Sequence, residues 1–255
     1  MMKFEGKAVV VTGASSGIGA EVAVAFAKEG ASLCITGRNE ENLNKVSEEC
    51  LNNGSPKVVK VIADLGQIES CKLIISKAME ELNQIDVLVN NAGFLHIANL
   101  ESTTLEQYDA MFNINVKAVF HLTQLAIPYL KKTKGSIVNV SSCVSTMLFP
   151  HYLAYGMGKA ALDYFTRCTA LELAPSGVRV NAVNPGSVRT KIHEKRFSAD
   201  KLDEYYQHMG TQHPLGKLVE TSDVANAVLF LASDASAMVT GTCLFVDGGL
   251  SLKSA

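Results

Sequence analysis

Val9-Val10-Val11-Thr12-Gly13-Ala14-Ser15-Ser16-Gly17-Ile18-Gly19 joins an apolar, β-branched run to a helix-periodic one through three glycines. Residues 7–12 read as a parallel strand buried on both faces, and residues 18–29 as a helix. Between them the glycines permit a tight turn and close approach of the backbone to a pyrophosphate. The helix N-terminus adds unpaired N–H groups and the positive end of its dipole. The spacing is G-x-x-x-G-x-G, which departs from the G-x-G-x-x-G fingerprint, and a glycine-rich turn without a ligand is the competing reading. Gly13, Ser15, Ser16, Gly17, Ile18 and Gly19 are the first candidate nucleotide contacts.

Outward from this turn, strand-like and helix-like segments alternate almost to the end. Strands are expected at 32–36, 58–63, 87–89, 136–140, 178–183 and 243–246, and helices at 40–52, 70–82, 154–172 and 223–231. A long helical region at 105–130 is expected to break near Pro128. Seven strands with crossover helices predict an α/β fold: one doubly wound Rossmann-type domain over 1–255, a seven-stranded parallel sheet with helices on both faces. Residues 185–218 exceed an ordinary connection. Within them, 187–218 reads as a substrate-covering insertion.

The strand ends carry the next signals. Thr36-Gly37-Arg38 offers a guanidinium where a carboxylate would bind a ribose 2′-hydroxyl, so Arg38 favours a 2′-phosphate and NADP(H) over NAD(H); a plain surface arginine is the alternative. Asp64-Leu65 closes the third strand, where a carboxylate can reach an adenine. Asn91, Ala92 and Gly93 close the fourth, leaving room for a ribose, and Asn91 can tie adjacent strand ends together.

Composition narrows the function classes. The 255 residues are 47% hydrophobic, enough for a substantial core. Lys and Arg number 23 against 25 Asp and Glu, a net charge of −2, so no basic excess marks a nucleic-acid or anionic-membrane partner. No signal-like N-terminal segment or membrane-length apolar run is visible. Cys34, Cys50, Cys71, Cys143, Cys168 and Cys243 form no C-x-x-C pair and read as small hydrophobes of a reducing compartment, so a cytoplasmic location is expected. No metal is expected, because His96, His151 and His193 lack ligand spacing.

Ser142 precedes Tyr155 by thirteen residues, and Tyr155 precedes Lys159 by four. On one helix the last two share a face. The ammonium would favour the phenolate of a tyrosine whose free pKa is about 10, and the serine can hydrogen-bond a substrate oxygen. Alone, the pair equally suits a half-buried tyrosine and a solvated lysine. Taken with Thr12-Gly13-x-x-x-Gly17-Ile18-Gly19, Asn90-Asn91-Ala92-Gly93, Asn115 and Pro185-Gly186, the order of motifs resembles the short-chain dehydrogenase/reductase family over essentially the whole chain. The likeness is nearest to the 3-oxoacyl reductase-like branch of animal carbonyl and alcohol oxidoreductases.

That resemblance implies a hydride-transferring oxidoreductase with Tyr155 as proton donor or acceptor and Ser142 polarising the substrate oxygen. It assigns Lys159 to tuning Tyr155 and holding the nicotinamide ribose, and Asn115 to supporting a water that links Lys159 to solvent. Read without it, Asn115 is a satisfied buried amide. It places Pro185, Gly186, Val188 and Thr190 against the cofactor, with Val188 facing the carboxamide. It also implies a homotetramer or a homodimer. One residue departs: the family usually has Ser or Thr before the lysine, where this chain has Gly158, with Gly156 in the same turn. Glycine costs about 0.8–1 kcal/mol relative to alanine inside a helix, so this turn depends on tertiary packing or bound cofactor, unless a glycine serves a close contact.

Phe94, Leu95, His96, Val144, Met147, Phe149, His151 and Tyr152, with Ile192, His193 and Phe197 from the cover, are candidate pocket walls. Their apolar character predicts a lipophilic carbonyl or secondary alcohol such as a steroid, terpenoid or xenobiotic ketone. Lys191, Lys195 and Arg196 instead suit an acidic carrier or coenzyme A, which would make the chain a 3-oxoacyl thioester reductase, although ordinary solvation also explains them. A non-catalytic cofactor-binding scaffold is the third reading.

Overall fold

The computed structural model of the chain describes residues 3–190 and 199–253. Its strands are β1 (Ala8–Val11), β2 (Ser32–Gly37), β3 (Val58–Ile62), β4 (Val87–Asn90), β5 (Ser136–Val140), β6 (Arg179–Pro185) and β7 (Cys243–Val246). They form one parallel sheet in the order β3-β2-β1-β4-β5-β6-β7. The helices are α1 (Gly17–Lys28), α2 (Glu40–Asn52), α3 (Glu69–Leu82), α4 (Leu105–Phe112), α5 (Val119–Thr133), α6 (Leu153–Leu173), α7 (Ala199–Gln212) and α8 (Thr221–Ala232). The protein is thus a single α/β Rossmann domain, and the segment after Pro185 contains α7.

Both faces of the sheet are covered, which is why β1 and β5 are buried along their whole length. One core cluster packs Val22 and Phe26 of α1, Leu43 of α2 and Val228 of α8 against the sheet. The opposite cluster uses Ile74 of α3, Leu122 and Leu130 of α5 and Leu173 of α6. Val11 is in register with Ile35 of β2 and Val89 of β4. The residues just beyond those strands therefore meet at one edge, where the winding reverses between β1 and β4. Open α/β sheets bind ligands at such a switch point.

The expected break at Pro128 is not where the helix changes. Pro128 lies inside α5, and the irregular stretch is instead a π-helical turn at Asn113–Ala118, between α4 and α5. Pro128 and Gln124 one turn before it are both exposed. The carbonyl that the proline leaves unbonded is therefore open to water, while Leu122, Ala126 and Leu130 hold the other side of α5 to the core.

Candidate active site

A cleft of about 980 Å³ runs along the carboxyl edge of the sheet. At one end lies the β1–α1 turn. Gly13 and Gly17 have φ of +65° and +58°, the left-handed region that favours glycine. A Cβ on Gly13 would lie 2.8 Å from the Cα of Ala92. Thr12 and Asn91 fasten this turn to β4. Thr12 Oγ1 accepts from the backbone N–H groups of Asn91 and Ala92, each at 3.0 Å, and the Asn91 amide donates to the carbonyls of Thr12 and Gly13 at 2.8 and 3.2 Å. Gly19 sits behind this fastening, because a Cβ there would run into Asn91 Nδ2 and the Gly13 carbonyl.

The start of α1 carries no side-chain cap and no acidic residue, so its first N–H groups are available to an anion. Thr36 Oγ1, also on the cleft wall, is buried without a hydrogen-bond partner among the described residues. This cradle fits a dinucleotide. Exposed Arg38 lines its rim after β2, and Asp64 Oδ1 accepts from Gly66 N at 3.0 Å after β3.

At the other end, β5 leads through Ser141 and Ser142 into a short 3-10 turn, Cys143–Ser145, and then α6. Ser142 caps that turn, its hydroxyl accepting from Val144 N at 3.4 Å. Tyr155 and Lys159 stand on the same buried face of α6, 8% and 3% exposed, with Lys159 Nζ 5.6 Å from the Tyr155 ring centroid. The ammonium donates to the Val140 carbonyl at 2.8 Å. Burial pushes the Lys159 pKa down to about 8, against the upward pull of the Asp163 carboxylate one turn on. Burial also pushes the Tyr155 phenol up, and its hydrogen bond with Ser142 opposes this. Burial thus favours the protonated form of the Tyr155 phenol.

The surroundings are firmly built. Asn115, 1% exposed in the π-helical turn, accepts from Phe94 N at 2.9 Å and donates to Phe94 O at 2.8 Å. It thereby fixes the loop after β4, as the buried-amide reading expects. Asn184 Nδ2 on β6 reaches Asp163 Oδ2 at 2.8 Å, Ser145 Oγ at 3.0 Å and Ser142 O at 3.2 Å. A Cβ on Gly156 would come within 3.2 Å of the Val144 carbonyl, whereas one on Gly158 would make ordinary 3.8 Å contacts with Asn115 and Val116. Only Gly156 serves a close approach.

The chain as a whole is similar to known proteins. The enoyl-(acyl carrier protein) reductase family matches residues 13–251. A short-chain dehydrogenase/reductase of unknown function from Caenorhabditis elegans, solved with cofactor, is 36% identical with a TM-score of 0.92, covering 98% of this chain and 97% of that one. The chain belongs to the short-chain dehydrogenase/reductase family. Among curated relatives, the 3-oxoacyl-(acyl-carrier-protein) reductase of Thermotoga maritima is 39% identical over 98% of this chain and 99% of its own. Carbonyl reductase (NADPH) 2 of Sus scrofa is 36% identical over 97% and 98%. The protein is therefore an oxidoreductase of the short-chain type acting on CH–OH or C=O groups.

Within this short-chain dehydrogenase/reductase, the cleft gathers Gly13, Ser15, Ser16, Gly17, Ile18, Arg38, Asp64, Leu65, Asn91, Ala92, Gly93, Ser142, Tyr155, Lys159, Pro185, Gly186, Val188 and Thr190. Gly19 and Asn115 stand behind its wall. Of the pocket residues expected from sequence, Leu95, Val144, Phe149 and Tyr152 line it; Phe94, His96, Met147 and His151 are not among its lining residues. Ile192, His193 and Phe197, with Lys191, Lys195 and Arg196, lie outside the described residues. Sequence reasoning missed Ile114, Tyr205, Met209 and Leu250, which also line the cleft. Tyr205 and Met209 are spaced i,i+4 in α7, the one available signal, but its polar composition concealed it. No metal-binding cluster and no helix long and apolar enough to cross a membrane occur among the described residues.

Proposed function

We propose that the protein is an NADP(H)-dependent reductase or dehydrogenase of a lipophilic carbonyl or secondary alcohol, working through Tyr155, Lys159 and Ser142. The observation that carries the substrate class is the apolar part of the cleft lining. Leu95, Ile114, Val144, Phe149, Met209 and Leu250 line the cleft along with the hydroxyls of Ser142, Tyr152, Tyr155 and Tyr205, and apart from Arg38 and Asp64 the one charged residue among the described lining residues is Lys159. A steroid, terpenoid or xenobiotic ketone suits such a wall.

The cradle would hold NADPH, which when bound would supply the hydride. Gly13, Ser15, Ser16, Gly17 and Ile18 would hold its pyrophosphate, Arg38 the 2′-phosphate, Asp64 and Leu65 the adenine, and Asn91, Ala92 and Gly93 the adenosine ribose. Pro185, Gly186, Val188 and Thr190 would border the nicotinamide, and the insertion at 187–218, whose described residues Tyr205 and Met209 line the cleft, would cover the substrate. Ser142 hydrogen-bonds the carbonyl oxygen. Tyr155, kept protonated by its burial, delivers its proton as charge develops on that oxygen. The Lys159 ammonium then stabilises the phenolate until it is reprotonated. In the oxidative direction Tyr155 accepts the proton.

A second reading, a 3-oxoacyl thioester reductase, draws on the name of the Thermotoga maritima relative. Exposed Phe120, Tyr164 and Leu171 on α5 and α6 support a homotetramer or homodimer. The unpaired cysteines support the reducing cytoplasm. Turnover of a panel of steroids, isoprenoid aldehydes, xenobiotic ketones and a 3-oxoacyl thioester, with NADPH and NADH, separates these readings. The proposal expects higher kcat/KM on the lipophilic ketones with NADPH; preference for the thioester would replace it, and stoichiometric NADPH binding without turnover would make the protein a scaffold.

A further inference from the structure

The helix that contributes Tyr205 and Met209 to the cleft also grips the segment running from β6 toward it. Tyr206, 1% exposed, donates from its hydroxyl to the Thr190 carbonyl at 2.9 Å and accepts from Thr190 N at 3.3 Å. His213, just beyond the end of α7 and also 1% exposed, has Nδ1 2.7 Å from the Met209 carbonyl. Nδ1 is therefore the protonated nitrogen, and Nε2 accepts from Ser187 N at 3.2 Å. A Cβ on Gly186 would lie 2.7 Å from this Nε2, so the segment approaches the imidazole as closely as a chain without a side chain allows. Between these two anchors Arg189 pairs with Asp203 and stacks 4.7 Å from the Tyr206 ring.

At about 3.6 residues per turn, Asp203 and Tyr206 fall on one side of α7, and His213 continues the same stripe. Tyr205 and Met209 fall on the flank beside it. One stripe therefore holds residues 187–190, and the adjoining flank faces the cleft. Both side chains are buried, and three of their hydrogen bonds run to the main chain of residues 187–190, tying that segment to α7 and to the residue just after it.

We propose that Tyr206 and His213 are positioning residues that hold residues 187–190 and α7 together as one body. The inference rests on the reading of residues 185–190 as the nicotinamide-side wall. Binding at that wall orders α7, and α7 in turn sets the position of the wall. By linkage the coupling is reciprocal: to the extent that cofactor binding orders α7, a variant that disorders α7 weakens cofactor binding.

The test uses the full chain and needs no knowledge of the substrate. NADPH affinity is measured by its fluorescence, and amide hydrogen exchange of residues 201–212 is followed with and without saturating NADPH. The wild type binds NADPH, and exchange in α7 slows several-fold. Tyr206→Phe and His213→Leu each bind NADPH about fivefold or more weakly and lose that slowing. His213→Gln, whose amide can donate to Met209 O and accept from Ser187 N, restores both, which a merely space-filling role for His213 does not predict. NADPH binding with unchanged α7 exchange in the wild type overturns this inference alone. Absence of NADPH binding overturns it together with the cofactor reading.

Discussion

Lys159 Nζ donates to the carbonyl of Val140 at 2.8 Å, joining the middle of α6 to the last residue of β5, the strand that delivers Ser142. The bond places the ammonium beside Tyr155 in a site where burial has pushed its pKa down to about 8. If reduction needs the ammonium, kcat/KM will fall as pH rises through about 8, and a pH–rate profile of the wild type will show that limb. A profile flat to pH 9.5 would contradict it.

The same burial makes Lys159 a stability cost. Its folded pKa lies below its ordinary 10.5, so between pH 8 and 10 the unfolded chain binds more protons at this site and the Lys159 contribution to stability rises with pH. Above pH 10 the raised Tyr155 acts in the opposite sense, because the folded phenol keeps a proton that the unfolded one releases. Lys159→Met is therefore expected to melt higher than wild type at pH 7, by a margin that shrinks toward pH 10, while losing activity. Thermal melts across this range check the sign.

Asp163 supports the charge from one turn away and is held by Asn184. Asp163→Asn removes the carboxylate while keeping the size of the side chain. The alkaline limb of the pH–rate profile should move to lower pH; an unmoved limb with reduced kcat would show Asp163 to be structural only.

The two glycines of the active-site helix should respond oppositely. Gly158→Ala meets only ordinary contacts at 3.8 Å, so it should gain about 0.5–1 kcal/mol from helix propensity, seen as a higher Tm at unchanged kcat. Gly156→Ala presses on the Val144 carbonyl at 3.2 Å. It should gain little or lose stability and should lower kcat by displacing the Ser142 turn.

Much of this was legible in the chain. The apolar runs marked every strand, because β1 is apolar and buried along its whole length and isolated polar residues such as Lys60 of β3 and Asn139 of β5 do not break the runs, and the glycine turn marked where they meet. Pro128 misled because the sequence does not show that Gln124 faces water. The π-helical turn at Asn113–Ala118 gave no local signal; its reason is tertiary, the placing of Asn115 against Phe94. Tyr206 and His213 were invisible as well, since the groups they hold in residues 187–190 include the main chain of Ser187 and Thr190, and no periodicity reports a side chain's hold on a distant backbone.

The most direct measurement is turnover by Tyr155→Phe alongside its NADPH affinity. Removing the hydroxyl takes away the proton donor while leaving the ring in place. We expect kcat to fall about 10²–10⁴-fold with NADPH binding retained. Turnover equal to wild type would contradict the assignment of Tyr155 as the proton donor.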